Sequence, residues 1–182
     1  MYNCARRERQ KFFIGIDANR RPLQKISEKI HRGPAKGGLP NVLFLEAAVE
    51  SLPYELDGTA SEVQVNFPWG SLLRGVATGD QLVLGNLRRM CKVDALLNVM
   101  IGLDFERDRS EIVRLGLLEL DANYISTVLV KAYTNAGFDL VETQNIVPSN
   151  RPEFQTSWAK RLRMSCHRSF IRIVAKAAEI KA

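Results

Sequence analysis

The sequence predicts an α/β fold built on a mainly parallel sheet. Short apolar runs recur along the chain, and most are followed by stretches of helical periodicity, the pattern of βαβ units. The length of 182 residues is that of one domain with a full-sized core. Hydrophobic residues make up 46% and charged residues 25%, as in ordinary globular proteins.

Lys11–Asp17 is an apolar run ending in a carboxylate and reads as a buried parallel strand. Leu23, Ile26 and Ile30 then recur at helical spacing. Arg32–Pro40 is a loop by its glycine and proline content, and Asn41–Glu46 is the next strand. Ala47–Pro53 follows as a strand-end loop with a short turn. In Ser61–Phe67 the apolar residues Val63, Val65 and Phe67 alternate, and Pro68 ends the strand because it cannot donate to a sheet ladder. Gly79–Cys91 reads as a helix with Leu82, Val83, Leu87 and Met90 on one face, and Ala95–Ile101 as a strand. Asp104–Ser110 reads as a charged loop, too polar for a core, with a short helix over Glu111–Leu115. Ala122–Ala136 is a helix with Tyr124, Ile125, Val128 and Tyr133 inward, stopped by Gly137. Phe138–Val147 and Arg168–Ala175 alternate as strands and suit an antiparallel edge pair, with Arg151–Arg163 between them as loop and short helix.

The net charge of +6 favours a polyanionic partner, and its distribution sharpens the point. Arg20, Arg21, Lys25, Lys29, Arg32 and Lys36 face only Glu28 in their segment. Near the C-terminus, Arg151, Lys160, Arg161, Arg163, Arg168, Arg172 and Lys176 face only Glu153. Two such segments could form one footprint for nucleic acid, or two solvated helix faces. The N-terminal residues lack an apolar signal core and no apolar run reaches spanning length, so the expectation is a cytoplasmic protein with no membrane segment. Cys4, Cys91 and Cys166 are far apart and read as free thiols.

Zinc-spaced Cys/His clusters, phosphate-loop motifs and nucleophile elbows are absent from the sequence. His31 and His167 sit in basic stretches and suit phosphate or solvent better than base catalysis. Three places remain. Asp17 ends a strand where doubly wound folds grip a ribose diol, and it also suits a helix N-cap. Trp69 follows Pro68 at a strand end, placed to stack on a flat ligand or to plug the sheet. Asn66-Phe67-Pro68-Trp69 also echoes the (D/N)PP(Y/F) pattern of amino-methylating methyltransferases, with one proline replaced by Phe67. Trp158 lies among Lys160, Arg161 and Arg163, the combination that holds unstacked bases, although it shares a helix face with Leu162 as a core residue would.

Several motifs follow in order: Ile14–Asp17, Lys36–Val42, Ala47–Pro53, Phe67–Gly70, Trp158–Leu162 and Arg168–Phe170. Together they resemble the aminoglycoside-resistance 16S rRNA (adenine-N1) methyltransferases of the kanamycin–apramycin resistance type, over nearly the whole chain. The resemblance implies a class I S-adenosylmethionine (SAM)-dependent methyltransferase, a Rossmann-like α/β sheet with helices on both faces. By the same resemblance Asp17 would hold the SAM ribose, Ala48 and Glu50 would border its adenine, and Ser71 would also lie at the cofactor. Trp69 and Trp158 would sandwich a flipped adenine, Phe67 and Pro68 would shape the floor, and Thr156 and Ser157 would position the base. Lys29, Arg32, Lys160, Arg161, Arg163 and Arg168 would hold rRNA phosphates. No metal is implied, and the implied partner is the small ribosomal subunit, met by a monomer. The family's first strand and glycine-rich turn would precede Tyr2, so the expectation is a single methyltransferase domain over residues 1–182, N-terminally incomplete, with little SAM affinity of its own. The alternatives are a non-catalytic RNA-binding relic of the family and a tRNA guanine-N7 type methyltransferase.

Overall fold

The apolar runs form strands where expected, but they assemble into two sheets. The structure, a computed structural model, describes residues 1–104, 106–146 and 168–179. It comprises two compact units, Met1–Pro53 and Tyr54–Ala182.

In the first unit, β1 (Phe13–Asp17) pairs in parallel with β2 (Val42–Glu46), Ile14 opposite Leu43 and Asp17 opposite Glu46. The crossover between them is α2 (Arg20–Ile30), preceded by α1 (Tyr2–Arg7). Ala5, Ile30, Leu39 and Val42 are buried together, with Tyr2, Phe13 and Phe44 packed against them. Asn41 ties the entry of β2 to the end of α1 and the turn that follows it: its Nδ2 donates to the carbonyls of Ala5 (3.0 Å), Glu8 (3.3 Å) and Lys11 (3.0 Å). The helix at residues 2–7 was not expected from the sequence. It is only six residues long, and its one buried side chain is Ala5.

The second unit is a four-stranded sheet in the order β3-β4-β6-β5. β3 (Ala60–Asn66) and β4 (Cys91–Leu103) are parallel; β6 (Ser169–Ala177) is antiparallel to both β4 and β5 (Phe138–Ile146). The expected antiparallel pair is therefore present, with β5 at the edge and β6 inside. On β4, Ala95, Leu97, Val99, Ile101 and Leu103 form one buried row. The helices are α3 (Gly70–Thr78), α4 (Gln81–Met90), α5 (Arg109–Leu115), α6 (Ala122–Tyr124) and α7 (Val130–Asn135). Arg88, 6% exposed, ties α4 to the rest of the unit: Nε donates to Gly137 O at 3.1 Å, Nη1 to Cys91 O at 3.2 Å and Nη2 to Ala178 O.

Three expectations are corrected. Leu82, expected inward, is 60% exposed, because Val83, Leu84 and Leu87 define the buried face of α4. Val128, also expected inward, is 41% exposed. Residues Ile125–Leu129 form a π turn, whose wider pitch puts Ile125, Leu129 and Tyr133 at four-residue spacing on the buried side. The Asp104–Ser110 loop, expected to be excluded from the core, contributes Asp104 at 2% exposure. Its carboxylate accepts the backbone N–H groups of Glu106 (3.3 Å) and Arg107 (3.1 Å), which makes the burial tolerable.

Candidate active site

At the carboxyl end of β3 the ladder continues one residue further, Phe67 N donating to Met100 O at 2.8 Å. Phe67 then adopts φ +52°, a left-handed conformation rare and costly for a large side chain. Packing holds it there. Phe67, Met100, Ile146 and Phe170 form a buried cluster, with the Phe67 and Phe170 rings edge to face at 5.9 Å. Gly102, opposite Phe170 across the β4–β6 pair, makes room for both rings: a Cβ there would lie 2.9 Å from Phe170 Cε1 and 3.4 Å from Phe67 Cδ1.

On this floor Pro68 is buried and the chain turns at Gly70, φ +60°. Trp69 sits at the N-cap of α3, β-extended and 46% exposed. Phe67, Pro68, Trp69 and Ser71 thus share one strand-to-helix turn: two buried residues, a half-exposed indole and an exposed hydroxyl side chain. Next in this unit, Glu111 of α5 accepts Arg114 Nε at 2.8 Å and Nη2 at 2.7 Å. These bonds, and to a smaller extent the Arg114 charge and the Gly70 backbone N–H, hold Glu111 below the usual carboxylate range against partial desolvation.

Arg168 precedes β6 and is 7% exposed. Its Nη1 donates to Gly102 O at 2.9 Å and pairs with Asp108 Oδ2 at 2.6 Å, while Nη2 reaches Asp108 Oδ1 at 3.4 Å. Its Nε is buried with no partner among the described residues. The guanidinium expected to face rRNA phosphates is largely committed to the protein.

In the first unit, Asp17 is exposed at the end of β1 beside Glu46. Its Oδ1 accepts the Asn19 N–H at 2.8 Å, and Asn19, not Asp17, caps α2 by accepting the Arg21 N–H at 3.0 Å. The capping alternative for Asp17 is therefore displaced by two residues, and its Oδ2 stays free of partners among the described residues. Ala48 and Glu50 are half-buried around the 3-10 turn Val49–Ser51. Lys29 stands 4.1 Å over the Tyr2 ring, and Arg32 is exposed. Thr156, Ser157, Trp158, Lys160, Arg161 and Arg163 lie outside the described residues.

The residues that sequence reasoning missed are Gly102, Asp108 and Glu111; Phe170 stood in a quoted motif, but without its role in the floor. Gly102 carried a signal, a glycine beside a strand pattern, which often marks close approach of another group. The Asp108–Arg168 pair carried none, since its partners lie 60 residues apart, whereas Glu111 and Arg114 stand at the i, i+3 spacing of a helical ion pair that local reading could have found.

The NpmA family, described as 16S rRNA (adenine(1408)-N(1))-methyltransferase, matches residues 1–177. The chain belongs to this family. A 16S rRNA (adenine(1408)-N(1))-methyltransferase of Escherichia coli is 35% identical over 174 residues, 95% of this chain and 80% of that protein. The protein of the same description from Streptoalloteichus tenebrarius is 33% identical over 165 residues, 90% of this chain and 75% of that protein. Among solved structures, the aminoglycoside resistance methyltransferase NpmB1 superposes with TM-score 0.83 at 45% identity, covering 97% of this chain and 81% of that one. A tryptophan-to-alanine mutant of the enzyme from Catenulisporales acidiphilia, solved with cosubstrate SAM, gives TM-score 0.85 at 29% identity, covering 100% and 81%. The α/β architecture described above is thus that of this methyltransferase family.

Proposed function

We propose that this chain methylates N1 of an adenine in the decoding site of 16S rRNA, within the small ribosomal subunit, using SAM and conferring aminoglycoside resistance. The observation that carries the reading is the Phe67–Gly70 turn: a half-exposed Trp69 on a buried Phe67–Phe170 floor, in a chain of this family.

The residues fit the chemistry. An adenine N1 carries a lone pair, so transfer to it needs no strong base. What it needs is a base taken out of its helix and held still. Trp69 offers a face for that base, worth about 1–3 kcal/mol in stacking. Phe67, fixed by Phe170 and by the Met100 carbonyl, sets the height of the turn from which Trp69 projects. In the other unit, the free Oδ2 of Asp17 suits a ribose diol, and the backbone around Ala48 and Glu50 suits a purine edge. Bound SAM supplies an electrophilic methyl group. Trp158 would give the base its second face, Thr156 and Ser157 its orientation, and Lys160, Arg161 and Arg163, with Lys29 and Arg32, the phosphate contacts; Ser71 would lie at the cofactor. Arg168 acts mainly by organising the end of β4. Met1–Pro53 and Tyr54–Ala182 serve as parts of one methyltransferase domain, working as a monomer in the cytoplasm.

The test is primer extension through the decoding site after incubating the chain with SAM and purified small subunits. N1-methyladenine blocks Watson–Crick pairing, so a SAM-dependent stop at one adenine supports the reading. Absence of that stop, or methylation found only in tRNA, overturns it. Calorimetric titration with SAM reads separately the affinity that the chain's own residues supply.

A further inference from the structure

We infer that the chain has an additional RNA-backbone contact, a wide-mouthed cleft on α3 and α5 in which Arg74 and Arg114 take a phosphodiester of the rRNA. This rests on the proposed function and names a contact that neither basic segment contains. The cleft is a shallow, open depression of about 490 Å³, lined by Ser71, Arg74, Val113, Arg114, Leu115 and Gly116. It begins two residues after Trp69, at most about 7 Å along the backbone. That is the length scale of one nucleotide, so the cleft is within reach of the phosphates flanking a base stacked on Trp69.

The chemistry of the lining selects an anion. Arg74 is exposed and its side chain has no partner among the described residues; Thr78 Oγ1 donates to its carbonyl at 2.8 Å. Arg114 spends two of its five N–H donors, on Nε and Nη2, on Glu111. The bidentate pair fixes the guanidinium plane and leaves its remaining donors on a side chain that is 61% exposed. A pre-aligned guanidinium beside an unpaired one suits phosphate oxygens, which accept forked hydrogen bonds. The open mouth suits a polymer backbone and not an enclosed small molecule. Arg74 supplies the uncompensated charge, because Glu111 already offsets Arg114.

The test is equilibrium binding of the full chain to purified small ribosomal subunits, titrated with salt from about 50 to about 200 mM, for the wild type, Arg74→Ala and Arg74→Lys. Losing one phosphate contact lowers the slope of log affinity against log salt by about one, so the salt-induced loss over that range shrinks roughly three-fold. Arg74→Ala shows this change with an unaltered thermal melt, and Arg74→Lys keeps most of the wild-type slope. Identical slopes for wild type and Arg74→Ala overturn the inference and leave the functional reading intact. A wild-type chain that fails to bind small subunits overturns both.

Discussion

Gly102→Ala tests how the strand-end floor controls the reaction. The added Cβ would stand 2.9 and 3.0 Å from Phe170 Cε1 and Cδ1 and 3.4 Å from Phe67 Cδ1. Neither ring can yield freely, since Phe170 is 4% and Phe67 7% exposed and each packs on the other. Overpacking of this kind costs about 1–3 kcal/mol. At about 2–4 °C per kcal/mol for a domain of this size, the melting temperature should fall by roughly 2–12 °C. The larger effect is on rate. Phe67 is joined to Trp69 through Pro68 alone, and a displacement near 1 Å of a bound base can cost about 100-fold. The assay is a thermal melt alongside single-turnover methyl transfer to small subunits. In the double mutant with Phe170→Leu, which withdraws the ring, the two costs should be less than additive. A Gly102→Ala variant that melts and transfers methyl groups as the wild type does would refute the account of the floor.

Trp69→Ala should abolish methyl transfer in the primer-extension assay, while subunit affinity falls only by the stacking contribution of about 1–3 kcal/mol. Arg168→Ala should destabilise the chain by up to about 3–5 kcal/mol in chemical denaturation, because it leaves the Asp108 carboxylate, only 11% exposed, without its cation. Adding Asp108→Asn, which keeps an acceptor for the Asp104 N–H, should recover part of that loss. Burial, partly opposed by the Arg88 charge, raises the Cys91 thiol from an ordinary value of 9.0 to about 11. The folded state therefore holds that proton more tightly than the unfolded chain. This contribution to stability is fully present below about pH 9 and is lost as pH rises from about 9 to about 11, a decline that Cys91→Ala should remove in melts across that range.

What was legible in the sequence was local. Val63, Val65 and Phe67 alternate and Pro68 stops them, so the strand and its end could be read from a few neighbouring residues. The Gly137 stop and the antiparallel relation of the last two strands were equally plain. The left-handed Phe67 was not, because it depends on Phe170, more than a hundred positions away. Asp104 and Asp108 looked like a solvated loop because their partners are backbone amides and a distant arginine, neither of which shows in local composition. Val128 was misplaced because a π turn changes the period on which the helical reading relied. Asp17 and Trp69 emerged as site candidates from where they sit relative to strand ends. The roles of Ala48, Glu50 and Ser71 came only from family resemblance.

The position of β6 bears on how the protein is made. It is the last of the described strands, yet it lies between β4 and β5 and supplies all the described pairing that β5 has. Until residue 177 has been synthesised, β5 lacks its strand partner among the described residues, and the edge of β4 that β6 covers is bare. Closing this sheet waits on contacts between segments far apart in sequence, which makes folding slow. During that interval the unpaired edges are open to strand exchange with other nascent chains. Amino acid changes that weaken β6 should therefore lower the yield of folded enzyme more than they lower its activity once folded.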